Sequence, residues 1–173
     1  MSDTQRFLLE KVTLSYVAVE DRIRMNAQIR GGEAVTFWLT QRLCRGLVKT
    51  FVDYLDKTTV TATDRGKSMV QTYFQEEAMM RKSKSPSVDA SKSTAPPVLV
   101  KTLNIRTSAD ALQLRLPMPD GSVSTMPLTP MEARQLLQIL FLQYRKGDWP
   151  LDIWPQWIRK QAPQGAATEG VVH

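Results

Sequence analysis

The segment 126–147, MPLTPMEARQLLQILFLQYRKG, constrains the fold most because it has the signals of a helix at both ends. Thr129 stands at the N-cap position, Pro130 follows at the first helical position, and Glu132 completes a capping box. Gly147 is predicted to end the helix in a left-handed conformation. The apolar residues repeat at helical spacing: Ala133, Leu136, Leu137, Leu140, Phe141 and Tyr144. The segment therefore predicts a helix that buries one face.

The first part of the chain predicts three strands followed by two helices. Alternation of apolar and polar residues indicates half-buried strands at 7–16, 22–30 and 35–39, with a tight turn at Gly31 and Gly32. Thr40 caps the next predicted helix. The apolar face of that helix contains Cys44, Leu47, Val48, Phe51 and Leu55. A further helix is predicted at about 64–81, with Met69, Val70, Tyr73 and Met80 as its apolar side.

The same order of elements restarts at residue 98. Strands are predicted at 98–107, 111–118 and 122–128, with a hairpin turn at Asp120 and Gly121, and they lead into the capped helix. At an offset of 89 residues the two parts share identical residues: Gly32 and Gly121, Thr36 and Thr125, Leu39 and Leu128, Thr40 and Thr129, Arg45 and Arg134, Leu47 and Leu136. We therefore predict an α+β fold of internally duplicated antiparallel β-β-β-α halves that share one core.

These patterns divide the chain into four regions. Residues 1–80 are predicted to form the first half with its additional helix, and residues 98–161 the second half with a Trp-rich C-terminal segment. Between them, 81–97 is rich in serine, lysine and proline and predicts a flexible linker, because it has little apolar surface to bury. Residues 162–173 are predicted to be disordered.

The residue types available argue against catalysis. The one histidine, His173, is the last residue, and Cys44 is the one cysteine. A histidine-based acid–base pair, a multi-cysteine metal site and an intramolecular disulfide are therefore not expected. No glycine-rich phosphate loop follows a predicted strand. We predict a protein that is not an enzyme, with no catalytic, cofactor-binding or metal-binding residues.

The start of the chain and its longest apolar run bear on the compartment. The first residues do not combine a basic segment with a continuous apolar run, and the apolar run near 136–142 is too short to span a membrane. A single cysteine fits a reducing compartment. We expect a soluble, cytoplasmic protein that does not interact with a membrane.

A net charge of +6 raises the possibility of nucleic-acid binding. About half of this excess lies in 81–97, where Arg81, Lys82 and Lys84 are the candidate residues. The other candidates are Arg22, Arg24 and Arg30, which share one face of the second predicted strand. A solvated sheet face is the alternative interpretation of these arginines.

The layout of two halves, each a curved antiparallel sheet followed by a helix, resembles that of the Whirly and Pur-type single-strand binders. This resemblance concerns architecture and implies single-stranded nucleic acid as a partner. This chain departs from those families because it has three predicted strands per half where they have four, and because Gln113, Arg115, Pro117 and Pro119 replace the basic face in the second half. Stacking aromatic residues are also absent from the basic face.

The segment 148–161 contains three of the four tryptophans, Trp149, Trp154 and Trp157, followed by Ile158. Large aromatic side chains gain much free energy on burial, so this segment packs either on its own domain or on a partner. We favour an interaction module that docks a protein partner or forms a homo-oligomer, with these four residues as the candidate contacts. Nucleic-acid binding is the second choice.

Overall fold

A computed structural model describes residues 5–59, 63–161 and 170–172. The strands are β1 Arg6–Val17, β2 Arg22–Ile29, β3 Ala34–Leu39, β4 Val98–Leu99, β5 Asn104–Thr107, β6 Leu112–Pro117, β7 Val123–Leu128 and β8 Gly170–Val172. The helices are α1 Gln41–Thr58, α2 Asp64–Met80, α3 Pro130–Lys146 and α4 Gln156–Arg159. Among the described residues, no helix has both the length and the apolar character needed to cross a bilayer.

Seven strands form one sheet in the order β4-β3-β2-β1-β7-β6-β5. The long strand β1 joins the two parts of the chain because it pairs antiparallel with β2 and, over Arg6 to Leu8, parallel with β7. A register shift between Leu9 and Lys11 marks an irregularity where β1 passes from one partner to the other. Further along, β8 pairs with β1 at Val12 to Leu14.

The sheet is curled because one short connection reaches from one edge to the other. The strands β4 and β5 are separated in the chain by residues 100–103, yet they lie at opposite ends of the strand order. The prediction of a single strand over 98–107 is therefore wrong. Val98 and Leu99 pair with β3, whereas the segment from Asn104 pairs with β6, so the chain changes its partner between them.

Helix α3 lies at the centre of the fold. It contacts β1, β7, α1, α2 and α4. Almost every residue from Ala133 to Tyr144 is buried, including residues outside the predicted apolar face. The backbone N–H of Tyr16 donates a hydrogen bond of 2.9 Å to Gln143 Oε1, which ties α3 to β1. One hydrophobic core contains side chains from both parts of the chain.

The start of α3 agrees with the prediction, and its end does not. Glu132 N donates to Thr129 Oγ1, and Thr129 N donates to Glu132 Oε2, both at 3.2 Å, so the capping box is present. The predicted left-handed Gly147 is wrong, since its φ is −83° and Asp148 has the positive φ of 53°. Gly147 is required for another reason, because a Cβ there would lie 2.7 Å from Tyr16 Cε2.

The α+β class is confirmed, with a curled seven-stranded sheet and four helices among the described residues. The order β-β-β-α occurs once from β1 to α1 and again from β5 to α3. The internal duplication itself remains a prediction.

The region predicted as a flexible linker runs across the outer face of the sheet. Val88 is buried, and its backbone N–H donates a 2.8 Å hydrogen bond to Thr13 Oγ1. The Thr94 hydroxyl lies 2.8 Å from a carboxylate oxygen of Glu33. In the predicted disordered tail, 162–169 and 173 lie outside the described residues, and Gly170–Val172 form β8.

The difference in N-terminal capping between α1 and α3 gives a stability prediction. Thr129→Ala should lower the free energy of unfolding by about 1 kcal/mol, because it removes a reciprocal cap. Thr40→Ala should cost less, since Thr40 accepts one hydrogen bond from Leu43 N and has no box partner. Denaturant midpoints at unchanged slope measure both losses, and equal losses would contradict the prediction.

Candidate interaction surfaces

The Trp-rich segment is part of the hydrophobic core. The side chains of Trp149, Trp154, Trp157 and Ile158 are all buried. The Tyr144 ring of α3 makes edge contacts with Trp149 and Trp154, at centroid distances of 5.0 and 5.2 Å. The segment could pack on its own domain or on a partner, and in the structure it packs on its own domain. These four side chains are therefore not on the surface.

Two polar contacts fix the same segment. Trp149 Nε1 and the Tyr16 hydroxyl each donate a 2.8 Å hydrogen bond to Asp21 Oδ1, and these bonds lower the pKa of the Asp21 carboxyl. The Asp21 contribution to stability is therefore present above the carboxyl's unfolded pKa and is lost as the pH falls through the lowered folded pKa. The second contact is between Arg45 of α1 and Asp152, which form two 3.0 Å hydrogen bonds.

A tryptophan substitution tests this packing. Trp154→Ala should lower the free energy of unfolding by about 3–5 kcal/mol, because it empties a fully enclosed site beside Phe141 and Tyr144. Trp38→Ala is the matched control, since Trp38 is only half-buried on β3 and its loss should be smaller. Chemical denaturation of both variants measures the difference. A small loss of unfolding free energy for Trp154→Ala would contradict the core packing, and the segment would again be a candidate interface.

Arg22 and Arg24 lie on the outer face of the sheet in β2, Arg30 lies in the turn that follows, and each has a polar neighbour. Arg22 is 3.8 Å from Glu20, Arg30 is 2.7 Å from Glu10, and Arg24 donates a 3.3 Å hydrogen bond to Ser15 Oγ. These contacts reduce the positive potential available to a phosphate.

Trp38 is the outer-face residue that sequence reasoning missed. It pairs directly with Arg24 across β2 and β3. The signal was available, because Trp38 falls on the polar phase of a strand whose apolar phase is Val35, Phe37 and Leu39.

The cations of the predicted linker, Arg81, Lys82 and Lys84, do not add an exposed basic surface to the outer face of the sheet. Arg81 forms a 2.8 Å ion pair with Glu77, and burial lowers the pKa of Lys82, whereas Lys84 is exposed. The segment 88–91 instead borders a cavity of about 310 Å³ that Arg24 also lines, and Asp89 adds a carboxylate to that lining.

The reactive groups of the described residues are few. Burial raises the pKa of the Cys44 thiol to about 12, which keeps it protonated and unreactive. In the described part of the chain, no three His, Cys, Asp or Glu side chains form a group able to hold a metal ion. The absence of an enzymatic function remains a prediction.

Helix α2 packs with its polar side inward. Gln71, Gln75 and Ala78 are buried. Of the predicted apolar side, Val70 is half-buried, and Met69, Tyr73 and Met80 lie exposed on the other side of the helix. The exposed fractions are 67% for Met69, 62% for Tyr73 and 80% for Met80. A helix packed on a core ordinarily buries its apolar stripe, so α2 has the reverse orientation.

Hydrogen bonds to α1 and α3 explain this orientation. Gln75 Nε2 donates to Arg134 O at 3.0 Å and to Gln138 Oε1 at 3.2 Å. Gln71 Nε2 donates to Leu55 O at 3.0 Å, and its Oε1 accepts from the Arg134 guanidinium. The buried polar groups of α3 therefore require polar partners from α2.

Comparison with known proteins adds no relative to this description. No family model matches the chain, and neither the search of curated proteins nor the search of solved structures returned a match.

Proposed function

We propose that this chain is a non-enzymatic interaction module that self-associates through the outward face of α2. The observation that carries the proposal is the reversed orientation of α2, which leaves Met69, Tyr73 and Met80 in solvent. A cytoplasmic location, which the single cysteine favours, belongs to the same proposal, and cell fractionation tests it.

The exposed apolar residues are concentrated on this helix. Among the described residues, the large hydrophobic side chains with high exposure are Val19, Met69, Tyr73, Phe74, Met80 and Leu99, and four of these six belong to α2. Single exposed apolar side chains are normal on a protein surface, whereas a contiguous group is typical of an interaction site. Met69, Tyr73 and Met80 follow one another at spacings of four and seven, as in the seam of two packed helices.

The charges of α2 support a second copy of this chain as the occupant. Arg65 and Lys67 lie near the start of the helix, and Glu76 and Glu77 near its end. Two α2 helices that pack antiparallel about a twofold axis bring the basic start of each beside the acidic end of the other. Arg65 and Glu76 lie on the same side of α2 as Tyr73 and have no ion-pair partner within the described residues, so both are available for this contact.

The proposal predicts a weak dimer. A two-helix contact is small compared with the ~1,600 Å² of a standard interface, so we expect association in the micromolar range. Tyr73→Ser with Met80→Ser should give a monomer by sedimentation velocity, and its denaturant midpoint should equal that of wild type at concentrations well below the micromolar range, where neither associates. Val19→Ser is the matched control because Val19 is 91% exposed in the turn between β1 and β2, away from α2.

A charge exchange tests the antiparallel arrangement. Arg65→Glu should weaken association, and adding Glu76→Arg should restore it, because the pair is then reversed in both copies. A wild-type protein that stays monomeric up to about 100 µM would overturn the proposal. Self-association that survives the double serine variant would also overturn it.

Binding of single-stranded nucleic acid is the second candidate, and the Arg24 and Trp38 pair favours it. A cation beside a half-buried aromatic ring is the combination that stacks on bases and contacts phosphates. We expect the wild type to bind a single-stranded oligonucleotide weakly at about 150 mM salt, where the Debye length is about 8 Å. A triple variant with Arg22→Ala, Arg24→Ala and Arg30→Ala should then bind it as weakly as the wild type does. Tight wild-type binding that this triple variant loses would replace our proposal with the nucleic-acid function.

We also propose that the two β-β-β-α passages arose by internal duplication. In each passage the third strand makes a parallel pairing, β3 with β4 and β7 with β1, and leads into a helix that begins after a capping threonine. An experimental structure in which the two passages do not superpose would contradict this origin.

A further inference from the structure

A groove lies where the curled sheet fails to close. It has a volume of about 690 Å³ and runs between the first half of α1 and residues 99–105. Pockets of ~300–1,000 Å³ are typical of small-molecule sites. The groove shares no lining residue with the α2 face and is independent of the proposed self-association.

Apolar side chains line the groove because the strand that should close the sheet is interrupted. Leu99 is 43% exposed at the end of β4, and Leu103 and Ile105 are half-buried beyond the interruption. Leu43 and Leu47 of α1 face them from the other side. An aliphatic chain lying here would cover apolar surface that water now contacts, which is favourable.

Gly46 keeps the groove open. It lies in the interior of α1, where glycine costs about 1 kcal/mol relative to alanine. Packing does not require a glycine there, since an added Cβ would meet nothing within 4 Å, and its φ is not in the left-handed region. Because Gly46 lines the groove, a larger side chain at this position would occupy it.

The charges at the groove have one sign. Arg42 and Lys101 are exposed lining residues, and neither makes an ion pair or a side-chain hydrogen bond with the described residues. Within the described parts of the chain, no carboxylate lines the groove. Two unpaired cations beside an apolar trough favour a ligand with an anionic head and an apolar body.

We propose that this groove binds an amphipathic carboxylate of the medium-chain fatty-acid class. The aliphatic chain lies against Leu99, Leu103 and Ile105, and the carboxylate lies near Arg42 and Lys101.

Titration calorimetry with decanoate, below its micelle concentration, tests the proposal on the full chain. We expect saturable one-to-one binding, and at least tenfold weaker binding of decanol and of decyltrimethylammonium. Arg42→Ser with Lys101→Ser should weaken decanoate binding about tenfold, the equivalent of ~1.4 kcal/mol. Lys57→Ser, at the far end of α1 and outside the groove, is the charge control and should bind as wild type.

Substitution of the glycine separates loss of binding from loss of folding. Gly46→Leu should abolish decanoate binding and yet leave the denaturant midpoint equal or higher, because leucine is the better helix former. The Tyr73→Ser, Met80→Ser variant should bind decanoate as wild type, so the two proposals fail separately. The absence of saturable binding, unchanged binding by Gly46→Leu, or equal affinity for decanol would each overturn the proposal.

Discussion

The fold depends on the burial of α3 on nearly all sides between Ala133 and Tyr144, including its polar side. Arg134 is buried on that side, and desolvation lowers the pKa of its guanidinium to about 10. No carboxylate lies within ion-pair distance of it in the described part of the chain, so the charge is held by Gln71 and by the rings of Phe74 and Trp157, at 5.5 and 5.3 Å from their centroids. A buried cation without such partners would be strongly destabilising. Helix α2 and the Trp-rich segment therefore both supply the partners that the buried Arg134 needs.

This requirement explains why an apolar helix face remains in solvent. Once the inward side of α2 must supply amides to Arg134 and Gln138, the helical period places Met69, Tyr73 and Met80 outward. The orientation of α2 is thus determined by the polar residues of its neighbour rather than by its own hydrophobic pattern.

The sequence predicted elements well where the signals were local. The capping box at Thr129, the alternating strands and the α+β class depend on neighbouring residues, and the structure has all three. The change of partner within 98–107 could not be predicted, because it depends on which two edges the chain joins. The orientation of α2 was equally inaccessible, since Gln71, Gln75 and Ala78 also repeat at helical spacing and the buried Arg134 was unknown.

The energetics of the α2 contact connect the fold to the proposed function. Each neutral hydrogen bond between α2 and the rest of the protein contributes only about 0.5–1.5 kcal/mol net, because water offers the same groups an alternative. The inward contact therefore orients α2 more than it stabilises it, and the outward side chains add nothing while they remain in solvent. Covering Met69, Tyr73 and Met80 would remove their apolar surface from water and hold the helix in place from outside. In the proposed dimer, a second copy that packs on this face would supply the hydrophobic contribution to α2 that the monomer's own core does not.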